Sequence, residues 1–99
     1  MADPPRIVAG AQSVERLSMF NVYVLKSLKN NKRYVGFTSK DLTVRLSEHN
    51  EGKNSYTRNN RLFKLIYSEA FSEEQDARRR EKFLKTGNGR KCLDNIIPP

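Results

Sequence analysis

The chain has 99 residues, enough for one domain with a modest core. Nineteen Lys and Arg against eleven Asp and Glu leave a formal net charge of +8. That excess favours a polyanionic partner, with nucleic acid the first candidate. A single cysteine excludes an intrachain disulfide and argues against a zinc cluster. No apolar run is long enough to span a membrane as a helix.

The opening "MADPPRIVAGAQ" lacks the apolar centre of a secretory signal, so the chain reads as cytoplasmic. Pro4-Pro5, small residues and no sustained period make residues 1–18 a mobile N-terminal tail by expectation. Arg6 and Arg16 there cancel Asp3 and Glu15, which puts the whole charge excess on 19–99, read as one domain. Met19 stands immediately before the first strand and is a candidate translation start.

"FNVYVLK", 20–26, is rich in β-branched and aromatic residues and predicts a strand. "LKNN" is a turn signal, with Asn30 and Asn31 suited to positive φ, and 33–38 returns as the second strand of an antiparallel hairpin. Asp41 opens a helix from about Leu42 to Glu51, and Gly52 stops it. "KNSYTRNNR", 53–61, is a basic polar loop, and "FKLIYSEAF", 63–71, is a third strand whose direction no turn dictates. Ser72 and Gln75 predict a capping box for a helix running to about Lys85, broken by Gly87 and Gly89. A short last helix is expected over 90–96, with Cys92 buried and inert near Leu93, Ile96 and Ile97. The fold class is α+β, a single small domain with element order ββαβαα.

Side chains alternate along strands, so an even-length hairpin loop puts Tyr23 and Tyr34 on one face. A two-residue Asn30-Asn31 turn offsets them by about 13 Å along the strands, and a four-residue loop at 28–31 by about 7 Å. Only the second suits a shared small site, and it is the expected register. Gly36 lies on the same face, and a glycine within a strand marks close approach of another group. On the following helix Leu42 and Leu46 form the apolar face, while Arg45 and His49, also at i,i+4, form a stripe beside it. Arginine matches two phosphate oxygens with its planar fork. His49 is the only histidine, and imidazole moves protons near neutral pH. Glu81, four residues after Ala77 and three before Leu84, lies along an apolar stripe and needs an arginine or a metal ion beside it. A single carboxylate suits Mg²⁺ better than zinc. Each feature also has a plain structural reading: core tyrosines, a solvated Arg–His pair, a salt-bridged glutamate.

"NVY", then "YVG" eleven residues later, then Arg45, His49 and Glu81 resemble the GIY-YIG nuclease superfamily. The phrases "VYVLKS", "YVGFT", "RLSEHNEGK", "KLIYSEAF" and "RREKFLKTGNGR" resemble its small single-domain members, which are related to the nuclease module of an excinuclease. The resemblance covers about 19–95. It implies a three-stranded antiparallel sheet flanked by helices, and a nuclease, with DNA repair as its setting, that cleaves phosphodiesters with one divalent ion, Mg²⁺ or Mn²⁺. It also implies catalytic roles for Tyr23, Tyr34, Arg45, His49 and Glu81, with Glu81 as the metal ligand. Asn21 replaces the first motif glycine, and Val replaces Ile in both motifs. Phe37 stands where some members carry a lysine that assists the nucleophile.

Under this reading Lys53, Arg58, Arg61, Lys85, Arg90 and Lys91 bind flanking phosphates, which carry no sequence information. The expected partner is nucleic acid, DNA ahead of RNA, and a protein partner stays open. Two rival functions remain at this level: a non-catalytic nucleic-acid-binding module of the same fold, and a basic domain for an acidic protein. The latter leaves the Tyr, Arg, His and Glu set unexplained.

Overall fold

Five consecutive residues, 21–25, are buried, so the strand that carries them is covered on both faces. This strand, β1 (Phe20–Ser27), is the middle of a three-stranded antiparallel sheet in a computed structural model that describes residues 19–97. The tail expected at 1–18 and the final Pro98-Pro99 lie outside the described residues. On one side of β1 is β2 (Arg33–Thr38), and on the other is β3 (Phe63–Phe71). The helices are α1 (Leu42–Asn50), α2 (Glu74–Leu84) and α3 (Gly87–Ile96). No helix among the described residues is long and apolar enough to cross a membrane.

The four-residue hairpin loop forms as expected. Ser27 N–H donates to the Lys32 carbonyl at 2.9 Å, Asn31 N–H donates to the Ser27 carbonyl, and Asn31 takes a φ of 61°. The register pairs Tyr23 with Gly36 and Leu25 with Tyr34, two residues apart on one face. Alternation along β1 then divides the core in two. Val22 and Val24 pack with Phe71, Ala77, Leu84 and Leu93, on the side of α2 and α3. Tyr23 and Leu25 pack with Phe63, Tyr34, Leu42 and Leu46, on the side of α1.

Two polar clips fix the helices to β3. The Asn50 amide donates to the Phe63 carbonyl at 3.2 Å and accepts from Phe63 N–H at 2.8 Å, tying the end of α1 to the start of β3. On the other face Arg80 forks onto Glu69 at 2.8 and 3.0 Å, and the Tyr67 hydroxyl donates to the same carboxylate at 2.6 Å. Glu69 is 2% exposed, so this saturation is what makes its burial tolerable. It also anchors α2 one residue before Glu81.

Two expectations at helix ends are corrected. The Ser72–Gln75 capping box does not form: Glu73 occupies the N-cap of α2 with no side-chain cap bond. Gly87 and Gly89 do not separate the helices as a break; they are the first turn of α3, which starts three residues earlier than expected. The Thr86 hydroxyl caps that turn, accepting from Gly89 N–H at 3.0 Å and donating to the Phe83 carbonyl at 2.6 Å. A glycine is needed at 89 because a Cβ there would collide with the Phe83 carbonyl and the Leu84 backbone, whereas Gly87 has open space.

These two glycines therefore predict opposite outcomes. Gly89→Ala is expected to destabilise the domain by about 1–3 kcal/mol through overpacking. Gly87→Ala is expected to be neutral or stabilising by up to about 1 kcal/mol, since it gains helix propensity without a clash. Urea denaturation of both variants checks this; similar losses would mean that backbone contact is not what singles out Gly89.

Candidate active site

Gly36 has no side chain because Tyr23 takes its place. A Cβ on Gly36 would fall on the Tyr23 ring and hydroxyl. The group whose approach the glycine permits is thus its own cross-strand partner, and the phenol lies across the hairpin beneath α1.

Helix α1 delivers the next two groups. The Asp41 carboxylate caps it by accepting from Thr43 N–H at 2.8 Å. Leu42 and Leu46 seat it on the sheet, and Arg45 and His49 follow on the adjoining stripe. Arg45 is half-buried, while His49 is only 3% exposed. The Tyr23 hydroxyl lies 2.9 Å from His49 Nε2 and accepts from Arg45 Nε at 3.1 Å. Arg45 Nη1 donates to Glu48 at 3.0 Å, and Lys40 donates to the same carboxylate at 2.6 Å. Those two cations hold the Glu48 carboxyl below its ordinary range.

Burial pushes the Tyr23 phenol above its ordinary pKa of 10.0, although Arg45 opposes the shift. Burial, aided by the Arg45 charge, holds His49 below its ordinary 6.5. Near neutral pH the site therefore contains a neutral phenol bonded to a neutral imidazole, with a permanent cation against the phenol oxygen.

Tyr34 sits beside this network, edge-on to Phe63 at 5.4 Å and to Tyr56 at 5.8 Å between ring centroids. Glu81 comes from α2, the helix on the opposite face of the sheet, yet it lines the same cleft. The cleft lies along the edge strand β2, of which Tyr34, Val35, Gly36 and Phe37 line it. Its volume is about 370 Å³, and its walls include Tyr23, Tyr34, Arg45, His49 and Glu81. The Glu81 carboxylate accepts from Lys85 Nζ at 3.0 Å.

The six expected flanking cations are distributed unevenly. Lys85 lines the cleft and also an adjoining hollow of about 580 Å³, which Arg90 lines together with Lys32 and Arg33. Lys53 is paired with Glu51 at 3.3 Å. Arg58 and Arg61 are exposed on the connection between α1 and β3, and Lys91 is exposed on α3; none of these four lines either hollow. Sequence reasoning missed Asn54, Tyr56 and Thr57, which also line the cleft. An Asn two residues before a Tyr-Thr pair was the available signal, since its side chain builds a turn. Here Asn54 Oδ1 accepts from both Tyr56 N–H and Thr57 N–H.

Among the described residues no three His, Cys, Asp or Glu side chains gather into a metal cage. One carboxylate on a cleft wall fits a hard ion that keeps most of its waters and takes its other ligands from a phosphate. A soft or tetrahedral protein-caged metal has no matching donor set there.

Comparison with known proteins adds a family. The description "GIY-YIG catalytic domain" matches residues 19–92. The UPF0213 protein SH2523 of Staphylococcus haemolyticus is 41% identical over 76 residues, covering 76% of this chain and 90% of the relative. The UPF0213 protein SAG0778 of Streptococcus agalactiae is 43% identical over 65 residues, covering 65% of this chain and 72% of the relative. The solution structure of the UPF0213 protein BH0048 from Bacillus halodurans is 30% identical, with a TM-score of 0.48. The match covers 79% of this chain and 84% of that one.

The buried neutral His49 has a consequence for stability. The unfolded chain binds a proton at the ordinary 6.5, and the folded chain binds it only at lower pH. The stabilisation is therefore complete above about pH 6.5 and is lost as the pH falls toward the folded value. Urea midpoints are expected to drop between about pH 7 and pH 5.5, above the carboxylate range, and His49→Gln is expected to flatten that slope. An identical slope in the variant would mean that another group causes the loss.

Proposed function

The chain belongs to the GIY-YIG catalytic domain family, and on that basis we propose that it is a divalent-metal-dependent endonuclease hydrolysing phosphodiester bonds in DNA. One observation carries the reading: Tyr23, Tyr34, Arg45, His49 and Glu81, drawn from two strands and two helices, line a single cleft. A set of core tyrosines, a solvated Arg–His pair and a stray salt bridge have no reason to share one.

In this mechanism Arg45 receives the scissile phosphate. Nε and Nη1 are bonded to Tyr23 and Glu48, which holds the guanidinium plane still. The remaining N–H groups balance charge on the non-bridging oxygens. A water attacks phosphorus in line with the leaving oxygen, and Tyr23 takes its proton. A phenol with a raised pKa is a poor base by itself. It works here by passing its own proton to His49 Nε2 as it accepts one from water, and Arg45 offsets negative charge on the phenol oxygen. His49 is available as the acceptor because burial keeps it neutral. Glu81 would hold the Mg²⁺ or Mn²⁺, which when bound stabilises charge on the phosphate and its leaving oxygen. Lys85, which pairs with Glu81, lines the same cleft and would bind a phosphate flanking the cut. Arg90, Lys32 and Arg33 continue the positive track in the adjoining hollow.

Variants separate catalysis from binding. Glu81→Gln keeps the shape but not the charge, so it is expected to abolish cleavage while leaving DNA binding intact or tighter. Arg45→Ala is expected to impair both, costing about 3–4 kcal/mol in the transition state, a hundredfold or more in rate. Cleavage assays on branched, single-stranded and duplex DNA with Mg²⁺ or Mn²⁺ decide this. A parent that binds but cuts none of them is a binding module, and a Glu81→Gln variant that cuts at the parental rate has its metal elsewhere.

The logarithm of the affinity for DNA is expected to fall linearly with the logarithm of salt concentration, with a slope of about −0.9 per phosphate neutralised, for roughly four to six phosphates. Affinity that does not change with salt would instead favour an acidic protein partner.

A further inference from the structure

The residue that holds the far side of His49 is Thr57, from the basic loop between α1 and β3. His49 Nδ1 lies 2.7 Å from Thr57 Oγ1, and both residues are buried, at 3% and 2% exposure. The loop is built to bring that hydroxyl there. Gly52, at a φ of 81°, turns the chain off the end of α1. Asn54 then accepts from the backbone N–H of Tyr56 and Thr57, and Arg58 N–H donates to the Asn54 carbonyl at 2.9 Å. Thr57 is thereby placed by backbone geometry rather than by its own side chain.

The hydrogen-bond directions along this chain follow from the donor inventory and from the relative acidity of the two hydroxyls on His49. Arg45 Nε only donates, so the Tyr23 oxygen is the acceptor of that bond. Tyr23 is 3% exposed, and its own hydroxyl proton needs an acceptor. His49 Nε2 is the group at hydrogen-bond distance able to accept it. Thr57 is the other hydroxyl on the ring, and a phenol is the more acidic of the two and so the stronger donor; Nε2 therefore accepts from Tyr23, and the imidazole proton sits on Nδ1, where it donates to Thr57 Oγ1.

We propose that Thr57 is a positioning residue that holds His49 as its Nδ1–H tautomer, with the Nε2 lone pair aimed at the Tyr23 hydroxyl. Threonine suits this place for two reasons. Its oxygen accepts the Nδ1 proton at rest. When His49 takes a proton from Tyr23, both ring nitrogens become donors, and the same oxygen still accepts from Nδ1 without rearrangement. The relay can thus charge and discharge with both ring nitrogens keeping their partners. The tautomer stands on the hydrogen bonds alone; its catalytic consequence rests on the nuclease reading.

His49 is the only histidine, so one pair of ¹⁵N imidazole resonances reports the state directly. In the full chain at mildly alkaline pH, Nδ1 is expected to show the shift of a protonated nitrogen and Nε2 that of an unprotonated one. Thr57→Ser is expected to keep that pattern. Thr57→Val, which has the same shape without the acceptor, is expected to move the ring toward the Nε2–H tautomer. In the cleavage assay Thr57→Val is expected to lower kcat by on the order of tenfold or more at unchanged KM, with Thr57→Ser restoring it.

A parental spectrum showing Nε2 protonated overturns the assignment, and it does so even where Thr57→Val fails to fold. A folded Thr57→Val variant with the parental tautomer overturns the role of Thr57. The spectrum needs no substrate, so it decides the tautomer whether or not the parent proves to be a nuclease.

Discussion

The burial of β1 on both faces is the constraint on which the rest of the molecule depends. With 21–25 closed to solvent, each side chain of the strand must belong to one of two layers. Val22 and Val24 bind α2 and α3 through the larger apolar cluster, and Tyr23 and Leu25 bind α1 through the smaller one. Because the pleat has a period of two, a one-residue slip would exchange these sets. It would present Tyr23 to α2 and place valines under Arg45 and His49. The same register that seats the core therefore seats the phenol.

The smaller cluster is unusual in mixing its core function with polar groups. Tyr23, His49 and Thr57 are as buried as the aliphatic residues around them. Their burial is sustainable because they bond to one another in sequence, and among the described residues no buried side-chain nitrogen or oxygen is left without a partner. Such a network also sets protonation. Desolvation pushes the phenol up and the imidazole down, so both stay neutral until a reaction supplies or removes charge. The opposite face uses the same physics for a structural end: the buried Glu69 is saturated by the partly exposed Arg80 and Tyr67, and the group fastens α2 to β3.

Charge is arranged at longer range. Beside Arg45, Lys85 at the end of α2 lines the cleft, and Lys32, Arg33 and Arg90 line the adjoining hollow, whereas Lys53, Arg58 and Arg61 on the α1–β3 connection line neither. A polyanion drawn in by the general positive field would thus find cations in the cleft and in the hollow that adjoins it. Arg45 lies inside the cleft and is already oriented by Tyr23 and Glu48.

Much of this was legible in the sequence because it is local. Period and turn chemistry placed β2 at 33–38 and β3 at 63–71; of the two hairpin loops they allowed, the four-residue one at 28–31, preferred because only it suits a shared site, is the one that brings Tyr23 within two residues of Tyr34 on one face. Helical spacing put Arg45 and His49 on one stripe. Helix ends were less legible: Thr86 serves as the N-cap of α3 and two glycines serve as its first turn, where the Thr86 cap and the close approach of Gly89 to the Phe83–Leu84 backbone set a helix start that glycine propensity by itself does not predict. Three matters were decided only by the tertiary structure. Glu81 belongs to a helix on the far face, yet it lines the tyrosines' cleft beside the edge strand β2. Gly36 makes room for Tyr23 itself. Thr57 meets His49 across a loop whose path depends on Gly52 and Asn54 together. Periodicity along a chain encodes which face a side chain occupies. Which other element that face will meet depends on how the layers close over β1, and no spacing within one segment carries that information.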